Sequence, residues 1–481
     1  MLTSEPMKSL DVKKIGLIGG PLLFLLLMMS SPISFSTDQW RVICLAVWML
    51  IWWITESAPI AVTALLPILL LPALGVFSLK ESTAPYGSDI VFLFFGGFVI
   101  AIALEKWNVH RRIAMNVVKL TGTKANRIIL GFMLATGALS LWISNTACAV
   151  MMLPMALSVI DLLRDPAIEL DPKNRRNFAI SLLLGIAYAA NAGGIGTLIG
   201  TPPNLVMAGF LKEQYGIEIS FLDWMKIGLP FAAVLLMFTY WMLVKFMFPN
   251  RMGEIKGAAA LINNELKSLG KLKEPEFRVL VIFVFTALLW TFRSFLETQL
   301  PFLSLSDTGI AVLAAILLFV LPSGKKQGTL LHWDDTSKLP WGILLLFGGG
   351  LALAAAFQDV GLVTIIGETV VKMQPGSAFG LMLLLSVVAL FMTEVMSNVA
   401  LTTIFVPVVS AIGVSMGLSP EYFAIPVTIA ASCAYMLPMA TPPNAIVFAS
   451  GEIRIADMAK AGFVLNLIAA GLIAAMAYFM L

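Results

Sequence analysis

The stretch SNTACAVMMLP at residues 144–154 decides the fold of this chain, and a related stretch occurs much later in the sequence. SNVALTTIFVP at residues 397–407 keeps Ser, Asn, an Ala and the closing Pro at the same spacing. Each stretch lies between apolar runs, so a polar pair stands inside a segment that is otherwise hydrophobic. A polar pair that recurs in this setting predicts a duplicated site.

Two further pairs of motifs follow in the same order. FFGG at 94–97 corresponds to LFGG at 346–349, and TPPN occurs at both 201–204 and 441–444. Three matched motifs in one order indicate an internal duplication. Matched helix-breaking segments in the two halves of an apolar chain are typical of secondary transporters, whose binding site lies where the repeats meet.

The composition is that of a polytopic membrane protein. Hydrophobic residues make up 59% and charged residues 12% of the 481 positions, whereas soluble domains carry about 25% charged residues. The net charge of +3 is small and its basic residues are scattered through short loops, so we expect no nucleic-acid partner. Cys44, Cys148 and Cys433 are isolated from one another, and we interpret them as small core residues.

The apolar runs predict an all-α membrane protein built from inverted repeats, with about 11 transmembrane helices and two re-entrant hairpins. The predicted divisions are a cytoplasmic tail with the first span (1–40), a first repeat (41–248), a cytoplasmic linker (249–278) and a second repeat (279–481). The hairpins are predicted at about 127–163 and 376–413, and the broken helices at about 178–212 and 420–450. Residues 111–127 and 360–372 are predicted to be helices at the membrane surface.

The broken helices are predicted from residues that interrupt a helix. The first is expected to be interrupted at Asn191 to Gly194 and again at Thr201 to Pro203, and the second around Pro438 to Pro443. Proline removes a backbone donor, whereas glycine tolerates unwound backbone. Unwound backbone persists at membrane depth only where it is buried in protein or lines a cavity, so these interruptions predict a site.

The distribution of Lys and Arg predicts the orientation. If the N-terminus is cytoplasmic and both hairpins return to the side they came from, most basic residues fall on cytoplasmic segments. A hairpin that crossed the membrane would invert every later loop and weaken this bias. We therefore expect the first hairpin to open from inside and the second from outside, in the inner (plasma) membrane of a bacterium.

Neutral oxygen atoms cluster in the interrupted segments, because unwound backbone frees carbonyls and the motifs add hydroxyl and amide oxygens. This set suits a hard cation such as sodium. We place one sodium at Ser140, Ser144, Asn145 and Gly193, and a second at Thr393, Ser397, Asn398 and Ala440. The alternative is that these polar side chains only join packed helices to one another.

An anion fits the same region. Helices that restart after Thr201-Pro202-Pro203 and Thr441-Pro442-Pro443 would direct free N–H groups towards the centre. Neither motif contains Lys or Arg, so bound cations would neutralise the anion and the two would bind together. Glu56 and Glu394 are expected to be the deepest carboxylates, with Glu394 bracing the second hairpin tip or satisfied by local hydroxyls.

These features resemble the divalent anion/sodium symporter family, and specifically its sodium/dicarboxylate cotransporters. The stretches that carry the resemblance are WWITE at 52–56, VTALLP at 62–67, 92–98, both Ser-Asn motifs, YMLP at 435–438 and NAI at 444–446. The resemblance covers nearly the whole chain, apart from the tail before Leu17 and the segment 250–276. Paired Ser-Asn tips together with paired Thr-Pro-Pro-Asn breaks are a specific signature.

The resemblance implies sodium-coupled symport of C4-dicarboxylates such as succinate, malate and fumarate. It implies a homodimer in which a scaffold domain holds the dimer contact, and a transport domain moves as an elevator. The implied substrate contacts are Asn145, Thr146, Gly194, Thr201, Asn398, Val399, Thr441 and Pro442. Many bacterial members carry threonine where this chain has Val399, which leaves the choice among succinate, malate, fumarate and citrate open.

Other functions remain as alternatives. A sodium-independent dicarboxylate or citrate exchanger would keep the carboxylate contacts but lose the selective sodium ligands. A sulfate carrier is a weaker alternative, which competition with succinate would distinguish. The chain contains neither HExxH nor GxSxG, so we expect no enzyme activity and no organic cofactor. A channel would not need two matched occlusion sites.

Overall fold

The protein is all-helical, as the sequence predicts. The computed structural model describes residues 12–30, 32, 34–164, 170–299, 304–324, 328–372 and 377–480. Within these ranges the only β pairings are two isolated bridges, Lys124 with Glu254 and Pro322 with Thr329. Most of the predicted N-terminal tail, residues 1–11, lies outside the described ranges, as do residues 376 and 481 at the ends of predicted elements.

Six α-helices precede the predicted surface helix at 111–127. They are α1 (Val12–Met28), α2 (Thr37–Thr55), α3 (Ile60–Thr63), α4 (Leu66–Ala73), α5 (Leu79–Thr83) and α6 (Asp89–Lys106). Ser36 and Gln39 form a capping box that starts α2. Glu56, in the left-handed conformation at φ 48°, ends α2 by donating its N–H to Trp52 O, and short helices follow because Pro59 and Pro67 interrupt the apolar run.

The remainder of the first half carries the predicted site. Its helices are α7 (Val109–Thr121), α8 (Ala125–Ser140), α9 (Asn145–Leu162), α10 (Pro172–Ile195), α11 (Pro202–Tyr215) and α12 (Phe221–Trp241), which continues as a π-helical turn at Met242–Met247. The prediction of a break at Asn191 to Gly194 is wrong, because α10 continues through these residues and the interruption lies at 196–201. Small residues at the end of α10 permit close helix packing there instead of unwinding.

The second half repeats this order after a connecting helix, α13 (Ala258–Ser268). Its helices are α14 (Glu274–Gln299), α15 (Asp307–Val320), α16 (Trp341–Asp359), α17 (Leu362–Lys372), α18 (Ala378–Met392), α19 (Asn398–Ser415), α20 (Glu421–Ala431), α21 (Pro442–Phe448) and α22 (Ile455–Met480). The interruption between α20 and α21 spans 432–441. It therefore includes the predicted position near Pro438 and begins several residues earlier.

The chain has the helices of a multi-pass membrane protein. Eight helical segments in the described ranges are long and apolar enough to cross a bilayer. Among them are Leu79–Lys106, Phe221–Met247, Glu274–Gln299 and Ile455–Phe479. The buried cysteines Cys44, Cys148 and Cys433 are free thiols in the core, as predicted.

The two halves are interleaved, and glycines of the paired GG motifs make this possible. A Cβ on Gly96 of α6 would lie 2.6 Å from backbone atoms of Ala311 in α15, and one on Gly349 of α16 would lie 2.3 Å from Ala64 O. Each GG helix therefore contacts backbone of the other half. Phe94 and Phe347 of the same motifs meet with ring centroids 4.0 Å apart.

The predicted linker is held against the first surface helix. Arg111 on α7 donates to both carboxylate oxygens of Glu265 on α13 at 2.9 Å, and Arg112 pairs with Glu276 at the start of α14. The hydrogen bond to Glu276 raises the pKa of Arg112. Segment 249–278 therefore contains an ordered helix and is not a flexible tether.

Candidate functional site

The first Ser-Asn motif forms the start of α9. Ser144 is the N-cap of this helix, and its hydroxyl accepts from Ala147 N at 3.2 Å. Ser140, at the end of α8, has its Oγ 2.6 Å from Asn145 Oδ1 and 2.7 Å from Ala190 O of α10. The connection between α8 and α9 is thereby joined to the end of α10 through a single hydroxyl.

The second Ser-Asn motif has the same arrangement. Thr393, at the end of α18, has its Oγ1 2.7 Å from Asn398 Oδ1 and 2.6 Å from Ala431 O of α20. Ser397 is the N-cap of α19 but makes no capping hydrogen bond through its side chain. Different hydroxyl residues, Ser140 and Thr393, therefore occupy equivalent positions five residues before the asparagine.

Each of these hydroxyls has more acceptors within reach than it has protons to donate. Ser140 and Thr393 each have one proton and two oxygen atoms within hydrogen-bond distance. Both side chains are fully buried. A buried group of three oxygens that shares one proton is a suitable environment for a small cation, which binds lone pairs without needing donors.

The asparagines of the two TPPN motifs organise the interruptions. Asn204 Nδ2 lies 3.2 Å from Gly194 O and 2.8 Å from Thr197 O. Asn444 Nδ2 lies 3.2 Å from Ala434 O and 3.1 Å from Leu437 O. Each buried amide thus closes its unwound loop by bonding carbonyls that the broken helix leaves free.

Neither Asn204 nor Asn444 was among the predicted site residues, although both belong to quoted motifs. Both are fully buried, and Asn204 Oδ1 has no partner among the described residues. The signal that identifies them is the repetition of the whole Thr-Pro-Pro-Asn motif. In this structure the asparagine that follows the double proline satisfies carbonyls of the preceding helix end and loop.

Glu394 holds the second interruption. Its carboxylate accepts from Tyr435 N at 2.8 Å, Met436 N at 3.0 Å and Leu437 N at 3.2 Å. It also accepts from Asn466 Nδ2 of α22 at 2.8 Å. Glu394 is therefore a brace, but it braces the break between α20 and α21, and its partners are backbone amides instead of the expected hydroxyls.

Glu56, the other carboxylate predicted to lie deep, is not buried in the protein. Its side chain is 58% exposed and lies 3.5 Å from Lys13 Nζ. Thr55, the expected hydroxyl partner, bonds Ile51 O and Ser57 Oγ. Glu56 is the C-cap of α2, so it lies at the end of this apolar helix and not within it.

The first interruption is packed too closely for side chains. A Cβ on Gly194 would lie 2.6 Å from Asn145 Oδ1, and one on Gly200 would lie 2.5 Å from Gly194 O. Thr197 Oγ1 bonds Leu141 O in the connection between α8 and α9. The structure thus brings Asn145 of the predicted first cation site together with Gly194, a predicted substrate contact, and with the loop 196–201.

The two halves also meet at the site. Asn191 of α10 donates from Nδ2 to three groups of the second half: Ala434 O at 3.2 Å and Thr441 Oγ1 at 3.0 Å in the second interruption, and Asn444 Oδ1 at 3.4 Å at the start of α21. In addition, α21 packs on α9 and α11 packs on α19. Each restarted helix therefore lies against the hairpin helix of the opposite half.

The remaining predicted site residues differ from one another in how exposed they are. Ser144, Thr146 and Pro442 are exposed, and Asn145, Ser397, Asn398 and Val399 are half-buried. Gly193, Gly194, Thr201, Ala440 and Thr441 are buried. Both asparagines, Asn145 and Asn398, are thus partly buried and partly accessible.

The site has little fixed charge. Glu394 is the one Asp, Glu, Lys or Arg residue in segments 140–148, 193–204, 393–400 and 432–444. Among the described residues, no cluster of three His, Cys, Asp or Glu side chains is arranged to hold a metal ion. The available ligands are carbonyl, amide and hydroxyl oxygens, which suit a hard monovalent cation better than a transition metal.

Comparisons with known proteins agree on the class of protein. The model of the sodium:sulfate symporter transmembrane region matches residues 18–481. Sodium-dependent dicarboxylate transporters named SdcS are 41% identical in Staphylococcus saprophyticus and 42% identical in Staphylococcus aureus strain bovine RF122, over 472 residues. These alignments cover 97% of this chain and 91% of each relative.

A solved structure shares the fold. The crystal structure of the Alcanivorax borkumensis YdaH transporter matches with a TM-score of 0.51. The match covers 86% of this chain and 90% of that chain, at 13% sequence identity. At this identity the likeness concerns the arrangement of helices alone.

Proposed function

Because the chain belongs to the family of the sodium:sulfate symporter transmembrane region, we propose that it is a secondary transporter that carries dicarboxylates together with sodium. The observation that carries this proposal is the duplicated triad of oxygens around Ser140 and Thr393. The name of the SdcS relatives, sodium-dependent dicarboxylate transporter, supports the same pair of solutes. The proposed substrates are C4-dicarboxylates such as succinate, malate and fumarate.

One sodium would bind at each hairpin tip. The first would take oxygens of Ser140, Ser144 and Asn145 with the carbonyl of Gly193, and the second those of Thr393, Ser397 and Asn398 with the carbonyl of Ala440. The excess of lone pairs over protons at both tips supports this assignment. Sodium is a transported solute in this proposal, so both sites must open and close in each cycle.

The dicarboxylate would bind between the two tips. Asn145 and Asn398 are half-buried, so their amides can reach a carboxylate while their oxygens face the cation. Thr146, Gly194, Thr201, Val399, Thr441 and Pro442 would line the same space. With no Lys or Arg nearby, the dianion needs the sodium ions for charge balance, and this requirement would couple the two fluxes.

The proposed movement is an elevator. The repeats 41–248 and 279–481 would be inverted, and segments 127–163 and 376–413 would be re-entrant hairpins. The hairpins and the broken helices form one connected group through Ala190, Asn191 and Ala431, which supports their motion as one body. A homodimer held by the scaffold, a cytoplasmic N-terminus and a bacterial inner membrane complete the proposal.

Uptake of labelled succinate into proteoliposomes tests this function. An inward sodium gradient is expected to drive accumulation, whereas an equal potassium gradient is not. Asn145→Ala and Asn398→Ala are expected to abolish the sodium-driven uptake, because each removes an amide proposed to contact both ion and substrate. Asn116→Ala is the matched control, since Asn116 is exposed on α7 and bonds only Arg112 O within its own helix.

The same assay separates the competing functions. Uptake that does not depend on sodium but requires dicarboxylate inside the proteoliposomes would show that the protein is an exchanger. It would also refute both sodium sites. Strong inhibition of succinate uptake by sulfate would indicate that the protein prefers inorganic divalent anions as substrates. Retention of sodium-driven uptake in both asparagine variants would refute the assigned tips.

A further inference from the structure

Asn191 connects the first half of the site to the second. It is 99% buried near the end of α10, since only 1% of its surface is exposed. Its amide nitrogen lies within 3.4 Å of Ala434 O and Thr441 Oγ1 of the second interruption and of Asn444 Oδ1 at the start of α21. The preceding residue, Ala190, offers its carbonyl to Ser140 at the first tip. Consecutive residues of one helix thus contact the first predicted ion site and Thr441, the residue that follows Ala440 of the second predicted ion site.

The orientation of this amide is determined by its surroundings. All three neighbours of Nδ2 are oxygen atoms, and two of them, Ala434 O and Asn444 Oδ1, can only accept, so a flipped amide would place Oδ1 against two acceptors. Two protons shared among three acceptors hold the side chain towards the second half. As a donor to Thr441 Oγ1, Asn191 leaves the hydroxyl proton of Thr441 free for another acceptor, such as a substrate carboxylate.

The second half lacks an equivalent connection. Thr393 bonds Ala431 O as Ser140 bonds Ala190 O, so the residue that corresponds to Asn191 is Ser432. Ser432 is buried, and its Oγ has no partner among the described residues. Its side chain is shorter than that of asparagine. At this position the side chain of the first half therefore hydrogen-bonds to the second half, whereas the side chain of the second half makes no equivalent bond.

We propose that Asn191 is a positioning residue that couples cation binding at the first tip to the second cation site and to Thr441. A sodium ion at the first tip would attract Ala190 O and hold the end of α10. Asn191 would then hold Ala434, Thr441 and Asn444 in place, and through Thr441 it would also hold the adjoining Ala440 of the second cation site. This inference rests on the proposed sodium-coupled function, and it adds a physical origin for cooperativity between the ions.

The test is the sodium dependence of succinate uptake by the full-length reconstituted protein. For the wild type we expect a sigmoidal dependence with a Hill coefficient above 1. For Asn191→Ala we expect the Hill coefficient to fall towards 1 and half-saturating sodium to rise about five- to tenfold, the usual size of a coupling between sites. Ser432→Ala is the matched control and is expected to retain the wild-type curve.

The shape of the sodium-dependence curve distinguishes a coupling role of Asn191 from a purely structural role. A structural defect would lower the maximal rate and the melting temperature but leave the Hill coefficient and half-saturating sodium unchanged, and that result would overturn the inference. If Asn191→Ala does not yield folded protein, Asn191→Ser, which copies the second half, is measured in the same way. Sodium-independent uptake by the wild type would instead overturn the proposed function itself.

Discussion

Glu394 is a buried carboxylate whose negative charge is stabilised by hydrogen bonds inside the protein. With 3% of its surface exposed, it accepts hydrogen bonds from three consecutive backbone amides and from Asn466. Several N–H donors around one carboxylate can replace the hydration that burial removes. The corresponding place in the first half is Leu141, whose carbonyl accepts from Thr197. The two interruptions are therefore braced by different chemistry.

Replacing Glu394 tests this brace. In Glu394→Gln an amide N–H₂ group would face backbone N–H groups, and each buried donor left without a partner costs about 1–3 kcal/mol. We expect a clearly lower melting temperature in detergent, together with weaker succinate uptake. The measurement is thermal unfolding of the purified protein beside the uptake assay.

Glu56→Gln is the control for this substitution, since it makes the same chemical change at an exposed glutamate. Its ion pair with Lys13 is open to solvent on both sides, and such pairs contribute less than about 1 kcal/mol. Its melting temperature should stay near that of the wild type. Equal destabilisation by the two variants would contradict the assigned role of Glu394.

Ser140 and Thr393, the hydroxyl residues of the two predicted sodium sites, lie beside the asparagines of those sites. Ser140 and Thr393 each precede an asparagine by five residues, and a helix end followed by a short turn returns the chain over that distance. The cross-half contacts of Asn191 were not predicted. Sequence spacing carries no information on which residue of another helix a side chain will face.

At the scale of helices, the closest approach in the site is that of α8 to α10. A Cβ on Gly193 would lie 2.3 Å from Gly137 O and 2.8 Å from Gly137 Cα. Backbone therefore touches backbone, and the close contact brings Ala190 O within reach of Ser140. The same contact explains why the glycines at 193 and 194 belong to a continuous helix: their lack of a side chain serves packing.

Gly193→Ala is expected to separate these helices. Its methyl group overlaps backbone atoms that cannot rotate away, and overpacking of this kind costs about 1–3 kcal/mol. Because the shift would move Ala190 O away from Ser140, we expect the stabilisation of the protein by sodium to be lost. Thermal unfolding with and without sodium is the measurement.

Gly471→Ala serves as the control, since a Cβ at Gly471 of α22 meets no atom within 4 Å. Alanine is favoured over glycine in a helix by roughly 0.5–1 kcal/mol, so this variant should be as stable as the wild type or slightly more so. An unchanged sodium response in Gly193→Ala would show that the first ion site does not need this helix contact.

At the scale of the whole molecule, the interleaving of the halves creates a surface along which one group of helices could slide. Gly350 of α16 lies against Thr403 of α19, and the Cβ of a residue at 350 would be 3.6 Å from Thr403 Cβ. This separation is within the range of natural disulfides. In the elevator proposal α16 belongs to the scaffold and α19 to the moving hairpin.

The double variant Gly350→Cys, Thr403→Cys is therefore expected to lose uptake on oxidation and to regain it on reduction. A crosslink between the scaffold and the moving domain would stop an elevator in one position. Labelled-succinate uptake before and after a membrane-permeant oxidant, followed by a reductant, is the measurement.

The two single-cysteine variants control for the native thiols, which are all buried, and should show no effect of oxidation. Formation of the crosslink is checked by a mobility shift on a gel after proteolytic cleavage between the two positions. Full uptake by the crosslinked protein would contradict a movement of α19 relative to α16.

The sequence by itself determined the class of protein, the duplication and the residues of the two tips. These properties depend on local composition and on motif order: apolar runs require helices in a bilayer, and repeated Ser-Asn and Thr-Pro-Pro-Asn segments indicate repeated breaks. The double prolines also marked where each broken segment ends, because proline is tolerated in the first turn of a helix and α11 and α21 begin at Pro202 and Pro442.

Only the tertiary structure decided which half contacts which, where Glu394 and Glu56 lie, and that Asn191 reaches the second interruption. These features depend on the approach of helices that are distant in sequence, at separations set by glycines on both partners. An exposed and a buried glutamate beside similar apolar runs differ only in what packs over them. Burial is a property of the assembled fold, and no local pattern encodes it.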